Sequence, residues 1–189
     1  MQRICVYCGS NSGARDDYTT AAQELADILV KHKLELVYGG AAVGIMGVIA
    51  TRVLEQGGTV HGVIPKLLMK KELAHPNLTE LHVVKSMHDR KSLMAKLSDG
   101  FIAMPGGFGT LEEIIEILTW GQLQVHDKPC GLLNVCGYFD HLLKYLDRAV
   151  DEGFLRPENR EMLLHDSEPL GLMTKFERYT APRVEKWTS

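Results

Sequence analysis

Aromatic residues are scarce in this 189-residue chain, at 7%, and neither sign of charge dominates. Lys plus Arg number 21 and Asp plus Glu 24, for a net charge of −3. That argues against a broad polyanion-binding surface, and so against nucleic acid as a partner, while leaving room for one small phosphate pocket. No apolar run approaches the roughly 18 residues that cross a membrane. The opening stretch from Met1 to Ser10 is too short and mixed for a secretory leader and reads as a strand. The expected location is therefore the cytoplasm, with no membrane partner and with the four Cys reduced. Cys5 and Cys8 form a C-x-x-C, but within a strand pattern, where their side chains fall on opposite faces. Buried structural thiols are expected. Cys130 and Cys136 do not repeat that spacing, so no zinc site is expected, and no metal or other cofactor is read from the chain.

Internal repeats, low-complexity segments and Pro/Gly/Ser-rich linkers are also missing, which leaves a single domain over residues 1–189 with a loose tail from about 181. A chain of this length buries roughly 70% of its unfolded surface, enough for one core without staples. What is present is an alternation. Strand patterns at Arg3–Cys8, Glu35–Tyr38, Val60–Ile64, Leu81–Val84, Gly100–Met104 and Cys130–Asn134 alternate with helical patterns at 16–31, 44–56, 87–98, 110–124 and 139–152. Runs such as Phe101-Ile102-Ala103-Met104 are apolar throughout, as strands covered on both faces are. The expected class is α/β, a parallel sheet with helices on both faces and right-handed crossovers. Further on, Pro157 suits the start of a short helix and Ser167 the cap of another.

Glycines gather where such a sheet binds ligands, beyond the carboxyl ends of its strands. Strand one runs into Gly9-Ser10-Asn11-Ser12-Gly13, strand two into Gly39-Gly40, and the fifth strand into Pro105-Gly106-Gly107-Phe108-Gly109-Thr110. The last loop opens a helix, whose free N–H groups favour an anion; a tight turn without ligand is the plain alternative. No G-x-x-x-x-G-K-[ST] and no paired carboxylates for Mg²⁺ accompany it. A dinucleotide fingerprint fails too, because its third glycine position holds Glu112. A mononucleotide or sugar monophosphate fits better.

Four side chains near these loops admit two readings each. Thr110-Leu111-Glu112-Glu113 matches a capping box, so Glu113 either starts a helix or serves a site. On the helix from Ser86, Met87, Leu93, Met94 and Leu97 share a face, and Arg90 falls in its middle, so it either meets a buried carboxylate or enters a pocket. Lys91, at the margin of that face, serves the same anion or faces solvent, while Asp89 pairs with the Ser86 cap. Trp120 lies on a polar helix face, as an interface anchor or under a neighbouring loop. A phosphate cradle, an Arg and a carboxylate, without an evident nucleophile, suit cleavage at a sugar anomeric carbon through an oxocarbenium-like transition state.

These residues carry a resemblance. Pro105-Gly106-Gly107-Phe108-Gly109-Thr110-Leu111-Glu112-Glu113 resembles the P-G-G-x-G-T-x-x-E motif of the LONELY GUY (LOG) family of cytokinin riboside 5′-monophosphate phosphoribohydrolases, often mislabelled as lysine decarboxylases. Met87-His88-Asp89-Arg90-Lys91 resembles its second motif, and the likeness runs from Cys5 to Phe139. It implies a Rossmann-like fold, a homodimer, and hydrolysis of N6-substituted adenosine 5′-monophosphates or AMP to free base and ribose 5-phosphate. Arg90 and Glu113 take the catalytic positions. Glu72, Arg90, Lys91, Gly106, Gly107, Phe108, Gly109, Thr110, Leu111, Glu112, Glu113 and Thr119 take the nucleotide-binding ones, with Gly39 and Gly40 from the second loop. Ala41 departs from the family, which often has a third Gly there. The decarboxylase label finds no Schiff-base Lys signature. The alternative function is a non-catalytic nucleotide carrier on the same fold.

Overall fold

The computed structural model describes residues 1–69 and 74–182. In chain order its elements are β1 (Arg3–Tyr7), α1 (Asp16–Lys31), β2 (Glu35–Tyr38), α2 (Gly44–Glu55), β3 (Val60–Pro65), β4 (Glu80–Val84), α3 (Met87–Leu97), β5 (Gly100–Ala103), α4 (Phe108–Gln122), β6 (Cys130–Leu133), α5 (Asp140–Asp151), α6 (Pro157–Glu161), β7 (Leu163–Asp166) and α7 (Pro169–Glu177). The seven strands make one sheet in the order β4-β3-β2-β1-β5-β6-β7. Every pairing in it is parallel.

The apolar runs do what two-sided burial requires. Ile102 and Met104 face one layer with Ile4, Val6 and Tyr38, packed by Leu25 and Leu29 of α1, Ile45 and Ile49 of α2, and Phe176 of α7. Phe101 and Ala103 face the other with Cys5, Tyr7 and Val37, packed by Met94 of α3, Ile114 and Ile117 of α4, and Leu143 of α5. The Rossmann-like arrangement read from the chain is the one observed. Cys5 and Cys8 lie in opposite layers, and burial pushes both thiols well above the usual range. No helix among the described residues is long and apolar enough to cross a membrane.

The six expected strands appear within one residue at each end. Three local readings change. The strand β7 was not expected, because Leu163-Leu164-His165-Asp166 has only two apolar residues; it sits at a sheet edge, with a single strand neighbour, β6. Ser167 caps nothing; α7 follows Glu168 without a side-chain cap and opens on Pro169, whose missing N–H costs nothing at a helix start. The third change is at α4. It begins at Phe108 after Gly107, with no side-chain cap, so of the two readings of Glu113 the capping box with Thr110 does not form. Both residues instead lie inside the helix on its buried face. The box that does form is Ser86 with Asp89, at the start of α3. The tail from 183 to 189 lies outside the described residues.

Candidate active site

After β4 the chain crosses back to place β5 beside β1, so strand order reverses between these two neighbours. Their connections leave in opposite directions, and a crevice opens beyond their carboxyl ends. A cleft of about 300 Å³ occupies that point, with Cys8, Gly9 and Ser10 from the end of β1 on one side and Gly107 to Thr110 on the other. Gly9 N–H donates to the Pro105 carbonyl at 3.0 Å and holds the two loops together. A neighbouring recess of about 280 Å³ shares Gly9, Ser10 and Gly107. Tyr138, after β6, closes that side by donating its hydroxyl to the Gly106 carbonyl at 2.6 Å.

Arg90 and Glu113 meet in the cleft. The Ser86–Asp89 box fixes the start of α3 three residues before Arg90, whose side chain is 7% exposed. Glu113 sits on the second turn of α4, 10% exposed. Arg90 Nη2 lies 3.9 Å from Glu113 Oε1, close enough for strong electrostatic attraction and too long for a hydrogen bond. The Arg90 Nε is buried without a hydrogen-bond partner. Such an orphan donor costs about 1–3 kcal/mol unless something arrives to accept from it. At the end of β2, Gly39 lies directly under the Arg90 guanidinium, where a Cβ would collide with Nη2. Gly40 needs a left-handed backbone, with φ +81°. Ala41 has no positive φ and is fully buried, so a side chain is tolerated there.

Comparisons with known proteins give the family and the fold. A family model described as "Possible lysine decarboxylase" matches residues 46–176. Cytokinin riboside 5'-monophosphate phosphoribohydrolase LOG5 of Arabidopsis thaliana is 49% identical over 95% of this chain and 78% of its own length. The LOG1 enzyme of the same plant is 49% identical over 100% of this chain and 88% of its own. The chain belongs to the LOG family. Its fold is shared more widely: the molybdenum cofactor carrier protein of Chlamydomonas reinhardtii superposes with a TM-score of 0.71 at 21% identity, covering 94% of this chain and 96% of that one.

Within this LOG-family chain the expected site residues separate into two groups. Arg90, Gly107, Phe108, Gly109, Thr110, Glu112 and Glu113 line the cleft, with Gly106 in the adjoining recess. Phe108 is 94% exposed at the rim. Gly39 and Gly40 stand behind this wall, one beneath Arg90 and the other against Ile64 and Leu81. Lys91 neither faces solvent nor joins the cleft lining. It is buried between α3 and α4, bonded to Glu112 and, at 3.0 Å, to Glu116. Burial works to lower its pKa, and the two carboxylates outweigh that and raise it. Leu111 packs into the second core layer. Thr119 is more than two turns along α4, where its hydroxyl donates to the Ile115 carbonyl at 2.8 Å. Trp120 is half-buried against the same core layer rather than free on a polar face. Glu72 lies outside the described residues. Among those residues no lysine lines the cleft. Motif reading missed Met46, Leu68 and Met87, which supply its apolar wall; the Met87 register on α3 was the available signal.

Proposed function

We propose that this chain hydrolyses the N-glycosidic bond of N6-substituted adenosine 5′-monophosphates, AMP or both. Water adds its oxygen to the anomeric carbon, the base leaves with the bonding pair and takes up a proton, and ribose 5-phosphate remains. The observation that carries the reading is the buried Arg90–Glu113 pair, 3.9 Å apart beside a helix N-terminus. A purely structural ion pair closes to hydrogen-bond distance and uses its donors; here Arg90 Nε has no partner. The first N–H groups of α4, after Gly107, point their partial positive charge at a 5′-phosphate. Glu113 then faces the sugar, stabilising the oxocarbenium charge or orienting the attacking water. Arg90 binds the phosphate or the departing base with the donor it has to spare.

The names of the Arabidopsis relatives support this substrate class, and the likeness to a cofactor carrier supports only the fold. The family suits a homodimer, and the buried thiols suit a reducing compartment such as the cytoplasm. Light scattering at micromolar concentration reads the mass; a monomer removes the dimer.

The test is to incubate the protein with AMP and with isopentenyladenosine 5′-monophosphate and to quantify free base. Release from either, with adenosine a far poorer substrate, is the expected result. Binding without release favours a carrier instead.

A further inference from the structure

On the edge of the sheet farthest from β7, three chemistry-bearing side chains converge that no part of the reaction uses. Register places His61 of β3 opposite Glu80 of β4, and Val63 opposite His82. The three side chains therefore stand on one face of the strand pair. Their ligand atoms all lie within 4.8 Å of one another. The group belongs to the amino half of these strands, whereas the catalytic cleft lies beyond the carboxyl ends.

The hydrogen bonding around His61 is unbalanced. Its Nε2 is 2.8 Å from Glu35 Oε2, and Arg3 Nε donates to that same oxygen at 2.6 Å, keeping Glu35 ionised. His61 Nε2 must therefore carry the proton. In a neutral imidazole that leaves Nδ1 with a lone pair, 3.1 Å from Glu80 Oε2. His82 Nε2 is 3.5 Å from the same carboxylate oxygen, and buried without a hydrogen-bond partner. Two histidine nitrogens thus converge on one carboxylate oxygen. One cation between the three atoms satisfies both nitrogens.

The distances fit such an ion. Two ligands about 2.05 Å from a tetrahedral zinc, about 109° apart, are about 3.3 Å from each other. The observed separations to the shared Glu80 oxygen are 3.1 and 3.5 Å. Glu35 then plays the outer role usual at such sites, accepting the second N–H of a ligating His and fixing its ring. His61 is 7% exposed, while Glu80 is 55% exposed and leaves an entry path and a coordination position for water. Imidazole with one carboxylate selects zinc and its late first-row neighbours over magnesium or calcium.

We propose that His61, Glu80 and His82 form a binding site for a divalent ion of the zinc class, which staples the edge strand β4 to β3. The site is independent of base release. Full-length protein stripped with a chelator is titrated with Zn²⁺ by calorimetry and with Co²⁺ by visible absorption. Saturation at one ion per chain is expected, with a Co²⁺ ligand-field band and a melting temperature that rises with Zn²⁺ concentration. His82→Ala and Glu80→Gln, both at least partly exposed, should each weaken binding tenfold or more and lose the thermal gain. Circular dichroism confirms that each variant is folded. Absence of saturable binding overturns the proposal. So does undiminished binding in folded His82→Ala, which would assign the ion to another histidine.

Discussion

Glu113 is where charge and shape can be tested apart. Because it lies inside α4 and not at its cap, replacing it with Gln removes no helix-starting bond. A carboxamide fills the same buried volume, and stability should fall by no more than about 1–2 kcal/mol. Gln carries no negative charge and accepts no proton, so turnover should drop by a factor on the order of 10² or more. Base release and thermal unfolding measured on one preparation check both halves; near-normal release from the folded variant removes Glu113 from the mechanism. Gly39 offers a different test. A Cβ there meets the Arg90 guanidinium, so Gly39→Ala should displace it and reduce kcat/KM by about tenfold or more, with the fold intact. Unchanged kinetics would mean that Arg90 gives way at no cost. These two residues also show what the sequence conveyed. The glycine pair announced a close approach, but the group that approaches Gly39 is Arg90, some fifty positions on, and no local pattern reveals such a partner. Arg90 stood out because a cation on an apolar helix face needs a reason.

Helices and strands were more legible than their ends. Two-sided apolar runs identify β5, and the Ser86–Asp89 box identifies the start of α3, because both signals are local. The start of α4 was misread because Thr110–Glu113 imitates a capping box, while Gly107 needs no side chain to end the preceding loop. Lys91 and its partners Glu112 and Glu116 lie on separate helices, which only the packing of α3 against α4 brings together. Past α4, His126 ties the next loop to the helix: Nε2–H donates to the Ile117 carbonyl at 2.9 Å and Nδ1 accepts from Lys128 N–H at 3.1 Å. That arrangement needs a neutral ring. Burial lowers the pKa of His126, and likewise of His75 and His165. The unfolded chain therefore takes up protons first as pH falls, and stability should be lost below about pH 6.5. Urea midpoints at pH 7.5 and 5.5 measure this; the difference should shrink in His126→Gln, and an equal loss in that variant would place the effect elsewhere.

For the molecule as a whole, the two helical layers decide which groups solvent can reach. Cys5, Cys8 and Cys130 are buried, and burial pushes the Cys130 thiol up to about 12, while Cys136 is exposed. Iodoacetamide should therefore label native protein once, at Cys136, and denatured protein four times, as mass spectrometry reads directly. Labelling of Cys8 in the native state would show that the cleft opens to its base.

The sheet order also sets a sequence in time. β1 joins β2 through the single helix α1, but its other neighbour, β5, begins at Gly100. Contacts so distant along the chain form late, since the loop they close must first lose its freedom. On the ribosome, the first four strands can associate while β5 and α4 are still being made. During that interval Arg90 emerges well before Glu113, and the wall contributed by Gly107–Thr110 does not yet exist. The cleft is thus complete only once the second half of the chain docks against β1.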